Sequence, residues 1–500
     1  MTSRIRSSVA VLGCFLPVAA ALAQPTIIST NSAALARSGR LSITGTGFGA
    51  DGTVLVADLP SWVSTWTDTR IVAYVPEGAP LGATSVVVDA GGQQSNAVPL
   101  EVTSRQADGR VRWIFEIDSE FIYYRPGLAP DGTLYVHGYT QEGGGEGRVF
   151  AVSADGALLW IQKEIYWAAY VPPIAGPDGA VYVGSTDGLT RISPAGEIDW
   201  NFDGSVGIAA SAGIGPDGTV FTAFETGTTG AVALDPATGA VLWTNNENTM
   251  LCIGCSNELR LGPSAPGGPD DRFYVYWEGL WAFSLDGDFL WQGFADLDPH
   301  EPGIGSDGTL YAPHGDELVA YSALDGSFLW TANSPWNAYI SDVEVGPDDT
   351  LYFVSDSTWV DAFDSRTQTS LWHHDVEQYL RRPSLSPDGS TLLTSGGGSC
   401  NTPSGECVIS FIKAFDTTDG QELWHLDLDD VWDPDYRSIA WDHARVAADS
   451  RTAYFTGFIL GNGDGNDERS LLWAIELGET AVFSDGFESG DTSAWSSTVP

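Results

Sequence analysis

Three groups of residues in this sequence have the type and spacing to do chemistry. The first is the loop Asn462-Gly463-Asp464-Gly465-Asn466-Asp467-Glu468. Asn462, Asp464, Asn466 and Glu468 place oxygen ligands on alternate residues with glycines between, an arrangement that can wrap a hard cation such as calcium. The loop departs from an Asp-x-Asp-x-Asp-Gly pattern. Asp467 stands where glycine makes the sharp turn, and no Glu follows at the usual distance. A calcium site and a solvated hairpin tip both remain open. Asp427 to Asp435 is a second acidic loop with a weaker signal. The second group is the cysteines. Cys252/Cys255 and Cys400/Cys407 are close pairs, and in an exported chain they read as two local disulfides. A zinc site built from both would ask for tighter spacing in the second pair. The third group is the histidines. His373 and His374 are adjacent, so on a strand they face opposite ways and cannot share one ion. His300, between Pro299 and Glu301, reads as a solvated loop residue. No Gly-x-Ser-x-Gly elbow or His-Glu-x-x-His pair occurs. No catalytic residue is assigned.

The charge of the chain narrows its partners. With 66 acidic and 22 basic side chains, the formal net charge is -44. A field of that sign repels phosphate backbones and anionic lipid headgroups, which excludes nucleic acid as a partner. It also dilutes any signal from paired carboxylates, since such pairs occur throughout.

Residues 1–23 read as a secretory signal: Arg4 and Arg6, an apolar stretch from Val9 to Ala23, and Ala21-Leu22-Ala23 before Gln24 as a small-x-small cleavage site. Val11-Leu12-Gly13 before Cys14 offers a lipoprotein reading, but most of the apolar stretch lies after that cysteine. No later apolar run is long enough to span a membrane. The chain is expected outside the cytoplasm, in the periplasm, at the cell surface or released, in a Gram-negative bacterium.

Residues 24–103 alternate short β-rich runs with turns. Arg40-Leu41-Ser42-Ile43-Thr44 alternates like a half-buried strand, and Gly45-Thr46-Gly47-Phe48-Gly49 reads as a turn with one aromatic to bury. Ile71 to Pro76, Ser85 to Val88 and Ala97 to Val102 complete a small sandwich. With Pro25-Thr26-Ile27, Val75-Pro76 and Ser95-Asn96, this stretch resembles the IPT/TIG family of immunoglobulin-like domains. The resemblance implies a spacer or binding module without catalysis.

Residues 104–478 carry a repeat. A Pro-Asp-Gly-type turn feeds a run such as Leu134-Tyr135-Val136. A strand with a central Ala follows, then a turn and an apolar pair ending in Trp. The turns are Asp131-Gly132, Asp178-Gly179, Asp217-Gly218, Asp270-Asp271, Asp307-Gly308, Asp348-Asp349, Asp388-Gly389 and Asp449-Ser450. The tryptophans are Trp160, Trp200, Trp243, Trp291, Trp330, Trp372 and Trp424, about 40 to about 50 residues apart, the length of a four-stranded blade. Eight turn units have only seven closures. Trp113, ahead of the first turn, supplies the missing one, so the first strand is expected to complete the last blade beside Leu472-Trp473-Ala474-Ile475.

Ala233-Leu234-Asp235-Pro236-Ala237-Thr238-Gly239-Ala240-Val241-Leu242-Trp243 is the fullest copy. It resembles the tryptophan-docking motif of the PQQ-like (quinoprotein) propeller family. Ala414 to Trp424 and Ala362 to Trp372 vary it, with Gln368 replacing the glycine in the latter. The resemblance implies an all-β β-propeller, the count of turns against closures makes it eight-bladed, and the eight tryptophans are expected to be structural wedges between blades. Some members of the family are quinone- and calcium-dependent dehydrogenases, and others are noncatalytic outer-membrane assembly proteins. This sequence lacks the adjacent cysteine pair of the dehydrogenases and a matching calcium-ligand set, so PQQ is not expected and calcium is the one cofactor in view. The leading expectation is a monomeric, noncatalytic binding scaffold at the envelope or outside the cell, with a protein or glycan partner. A quinoprotein oxidoreductase and a glycan- or polymer-binding module are the alternatives. Tyr123-Tyr124, Tyr166-Trp167 and Trp336 are the aromatics that could stack on sugar. Residues 479–500, with Asp485-Gly486-Phe487-Glu488-Ser489-Gly490-Asp491, form a tail that lacks the apolar helix and basic end of a sorting anchor.

Overall fold

The computed structural model describes residues 24–105, 110–119, 124–139, 147–165, 172–185, 188–202, 212–225, 229–250, 259–263, 270–276, 280–293, 302–402, 405–428, 437–440, 444–460 and 469–478. Within them the chain is all-β apart from one 3-10 turn, Pro335–Asn337.

Alternation of apolar and polar residues builds the first unit. Arg40–Thr46 sits between Thr26–Thr30 and Arg70–Tyr74, and Trp62–Trp66 completes that sheet. Ala34–Ala36, Val98–Thr103, Gly82–Ala90, Thr53–Val56 and Leu59–Pro60 form the facing sheet, with Gln93–Gln94 paired to its central strand. The alternating residues Leu41, Ile43, Val54, Val56, Val86 and Val88 meet in one core with Phe48. Gly45 and Thr46 continue the strand instead of opening the turn. A Cβ on Gly45 would lie 2.2 Å from the Thr26 carbonyl oxygen, so the glycine permits close approach of the first strand and the Phe48 ring.

Eight antiparallel sheets follow. Seven are meanders of four consecutive strands, from a short inner strand such as Gly127–Leu128 to an outer strand bearing a tryptophan, such as Leu158–Ile165. The eighth joins the two ends of the region. Val111–Ile117 is its outer strand and pairs with Arg469–Glu476, which pairs with Thr452–Leu460. The register sets Trp113 opposite Ala474 and Ile117 opposite Ser470. Around this clasp the Glu476 amide donates to the Arg110 carbonyl (2.8 Å), and Arg112 Nη1 donates to Thr452 Oγ1 (2.9 Å).

The aspartates of the inner turns act locally. The Oδ1 atoms of Asp131, Asp178, Asp217, Asp307, Asp348, Asp388 and Asp449 each accept the amide two residues on, at 2.8–3.2 Å. Asp270 is the exception, since it already belongs to the strand Asp270–Tyr276 and does not form the turn. Asp349 and Ser450 adopt φ of 64° and 56° where the other turns have glycine.

Candidate functional site

The tryptophans hold neighbouring blades together. Trp113, Trp160, Trp200, Trp243, Trp291, Trp372 and Trp424 each donate Nε1–H to a carbonyl of the next blade, at 2.8–3.1 Å: Ala154, Pro194, Pro236, Leu285, Ala323, Thr417 and Leu477 respectively. Six of those rings lie on a left-handed glycine, where a Cβ would come within 2.5–2.8 Å of the indole at Gly156, Gly196, Gly239, Gly287, Gly326 and Gly420. For Trp424, the Arg110 guanidinium covers the ring instead, 4.7 Å from its centroid. Trp330 is the eighth. It packs on Tyr311 and on Phe363 of the next blade, but makes no such hydrogen bond among the described residues. Its receiving turn carries Gln368, with φ of 55°, where the others have glycine.

The sandwich is pinned to the propeller, at the end of Val111–Ile117, by a buried carboxylate, Asp118. Its Oδ1 accepts Arg40 Nη2 (3.0 Å), and its Oδ2 accepts Ser64 Oγ (2.6 Å) and Thr65 Oγ1 (2.7 Å), with Arg148 Nη1 at 3.8 Å. The Asp118 amide donates to Tyr74 Oη (2.9 Å), and the Tyr74 ring stacks on Phe115 at 5.4 Å. Burial alone would raise the Asp118 carboxyl. The charges of Arg40 and Arg148 and the two hydroxyls together outweigh it and hold the group below the usual carboxylate range. A second strut flanks the first. Arg105 grips both oxygens of Glu77 (2.6 and 3.0 Å) and donates to the Asp155 carbonyl. Ser38 Oγ donates to Glu77 and accepts the Leu158 amide at the edge of an outer strand.

One arrangement has the form of acid–base machinery. Asp361, fully buried, accepts Ser355 Oγ (2.5 Å) and meets His373 Nδ1 at 2.6 Å. Trp359 stands edge-on to the imidazole, 4.2 Å between centroids. A carboxylate on Nδ1 fixes the ring and leaves Nε2 to act as a base or ligand. His374 faces the other way, against Phe415 of the next blade. Among the described residues, no three His, Cys, Asp or Glu side chains gather as a metal site. Asp361 stands at the register position where the other blades have Phe150, Thr190, Val232, Trp281, Val319, Lys413 and Trp473, a slot that most blades fill with an apolar side chain.

The loop with Asn462, Asp464, Asn466 and Glu468, the pair Cys252/Cys255, and His300, Tyr123, Tyr166 and Trp167 lie outside the described residues. Cys400 and Cys407 are direct partners across the hairpin Thr391–Thr402/Gly405–Asp416. Sequence reasoning missed Asp118 and Asp361 because carboxylates are common throughout the chain. The signal available for the first was Arg40, an arginine opening an apolar strand in an acidic sequence.

The model of a family described as outer membrane protein assembly factor BamB matches residues 100–250, 145–388 and 232–430, and the IPT/TIG domain model matches residues 25–102. No curated protein matches the chain. Among solved structures, the Dos1 propeller superposes with a TM-score of 0.52 at 11% identity, covering 72% of this chain and 93% of that one. The C-terminal WD40 domain of Sif2 gives 0.49 at 11%, covering 73% and 99%. BamB from Moraxella catarrhalis gives 0.36 at 15%, covering 82% and 95%. The Dos1 likeness shows a shared β-propeller fold and nothing of function. No helix among the described residues is long and apolar enough to cross a membrane.

Proposed function

This chain belongs to the family described as outer membrane protein assembly factor BamB, and from that membership we propose that it is an exported, noncatalytic binding scaffold of the cell envelope. The observation that carries this reading is the rigid union of sandwich and propeller through buried Asp118. A spacer needs only a linker, whereas a platform gains from a fixed joint, because pre-organised surfaces lose less entropy on binding. Residues 1–23 serve as the export signal and the mature chain acts as a monomer, kept apart from its copies by its charge of -44. Cys400–Cys407 and Cys252–Cys255 close as disulfides in the oxidising compartment. Calcium at Asn462 to Glu468 and a glycan as partner are finer points of the same proposal.

The rival is a quinoprotein oxidoreductase, for which the Asp361–His373 pair would be the natural base. Incubating the purified protein with PQQ and calcium, desalting it, and offering alcohols or sugars with a redox dye separates the two. The scaffold reading expects no retained quinone absorbance and no dye reduction. Stoichiometric absorbance with substrate-dependent dye reduction would overturn it.

A further inference from the structure

The exposed apolar side chains of the propeller follow its repeat. Leu242, Leu290, Leu329, Leu371 and Leu423 each stand just before the docking tryptophan of their own outer strand, on five consecutive blades, and all are exposed. The Trp330 blade adds Leu324 and Phe328 from the turn and strand start beside Leu329, and the three are 65%, 51% and 47% exposed. Around the ring these leucines stand singly, but Leu324, Phe328 and Leu329 cluster on one blade, and such a cluster points to a docking surface.

The same segments are acidic. Asp286, Asp288, Asp325, Asp375 and Asp419 are exposed beside these leucines. Arg366 is the only Lys or Arg within residues 235–245, 284–293, 322–333, 364–375 and 416–427. The outer strands Phe289–Gly293, Phe328–Asn333, Thr369–Asp375 and Glu422–Asp427 each pair on one side only among the described strands, leaving a backbone edge. This rim already docks a partner elsewhere in the molecule. On the Trp113 and Trp160 blades the sandwich seats against it, and the Leu158 amide at the start of the outer strand donates to Ser38 Oγ. There the residue before Trp113 is Arg112, tied to Thr452, whereas Leu159 before Trp160 stays 41% exposed beside the joint.

We propose that the uncovered rim around the Trp330 blade docks a cationic polypeptide strand with alternating basic and apolar side chains. It would add to the free edge of Phe328–Asn333, with its apolar side chains on Leu324, Phe328 and Leu329 and its basic ones against the neighbouring aspartates. This surface rests on the scaffold reading above and names the chemistry of its partner. A second copy of the chain is the wrong occupant, because two bodies of charge -44 repel.

The test uses the full chain and two synthetic ten-residue peptides, one alternating Lys with Val and one alternating Lys with Ser. Binding is read by fluorescence anisotropy at about 0.15 M salt, where long-range attraction is screened beyond about 8 Å. The Lys/Val peptide should bind at least about tenfold more tightly than the Lys/Ser peptide. That preference should vanish in Leu329→Lys and in the combined Leu324→Ser, Phe328→Ser, Leu329→Ser variant. Leu329→Lys changes one exposed side chain and guards against a misfolded triple variant. Equal binding of the two peptides, or a preference that survives in Leu329→Lys, would overturn the rim assignment. Either result leaves the scaffold reading standing, since that reading is tested separately, by quinone-dependent turnover and by the Asp118 joint.

Discussion

His137 is buried in the strand Leu134–Tyr139, and neither ring nitrogen has a hydrogen-bond partner among the described residues. Burial pushes its pKa down to about 4. An unfolded chain would hold this imidazole near its ordinary value of about 6.5. Between those values the unfolded state binds the extra proton, so stability falls as pH drops from about 6.5 toward about 4. The cost approaches about 3 kcal/mol. Denaturant melts at pH 7 and pH 4.5 should show this loss, and His137→Leu should remove most of it while raising stability at pH 7. A His137→Leu protein with an unchanged pH profile would refute the assignment. Gln368 offers a second residue test. Its left-handed backbone costs a non-glycine residue about 1–2 kcal/mol, so Gln368→Gly should raise stability by about 1 kcal/mol after the entropy glycine adds to the unfolded chain. The converse change at the equivalent turn of the neighbouring blade, Gly420→Gln, should cost more, because its Cβ would enter the Trp372 ring. The repeat made Gln368 visible as a departure from pattern. Asp118 and Asp361 carry no comparable mark, because the partners that give them meaning, Arg40 and Ser64 for one and His373 for the other, come together only in the fold.

Strands and turns were the legible scale. Alternation marks the sandwich strands, and the Asp-Gly turns mark the starts of most blade hairpins, because local hydrogen bonds and left-handed glycines act over a few residues. Two failures share one cause. Glycine content favours a turn at Gly45 and the repeat places one at Asp270, yet each lies in a strand set by its cross-strand partner, Ile27 and Pro263 respectively. Tertiary pairing overrode local propensity in both. The hairpin bearing Cys400 and Cys407 gives a prediction at this scale. Directly opposed residues of an antiparallel pair have Cα atoms about 5.5 Å apart or closer, within reach of a disulfide. Mass spectrometry of the unreduced protein should find these two cysteines linked. Because the closed loop is short, Cys400→Ser with Cys407→Ser should cost only about 2 kcal/mol. Free thiols at both positions in protein from an oxidising compartment would contradict this.

The whole molecule depends on two long-range joins. The first is the clasp of Val111–Ile117 on Arg469–Glu476, which the count of turns against tryptophans already implied. Deleting residues 104–120 should therefore lower the unfolding midpoint of the entire ring, and an unchanged midpoint would refute closure. The second, the seating of the sandwich on that clasp, was not legible, because a domain resemblance says nothing of the joint between domains. Asp118 follows directly on the clasp strand and binds the sandwich there, which makes it the most direct test of the claim that sandwich and propeller form one rigid platform. Removing one partner from a buried ion pair costs about 3–5 kcal/mol. In the Asp118→Ala protein, hydrogen exchange followed through a denaturant melt should show the sandwich strands opening at lower denaturant than the blades, where the native protein opens both in one transition. If Asp118→Ala still melts in that single transition, at an unchanged midpoint, the two domains are not held together in this way.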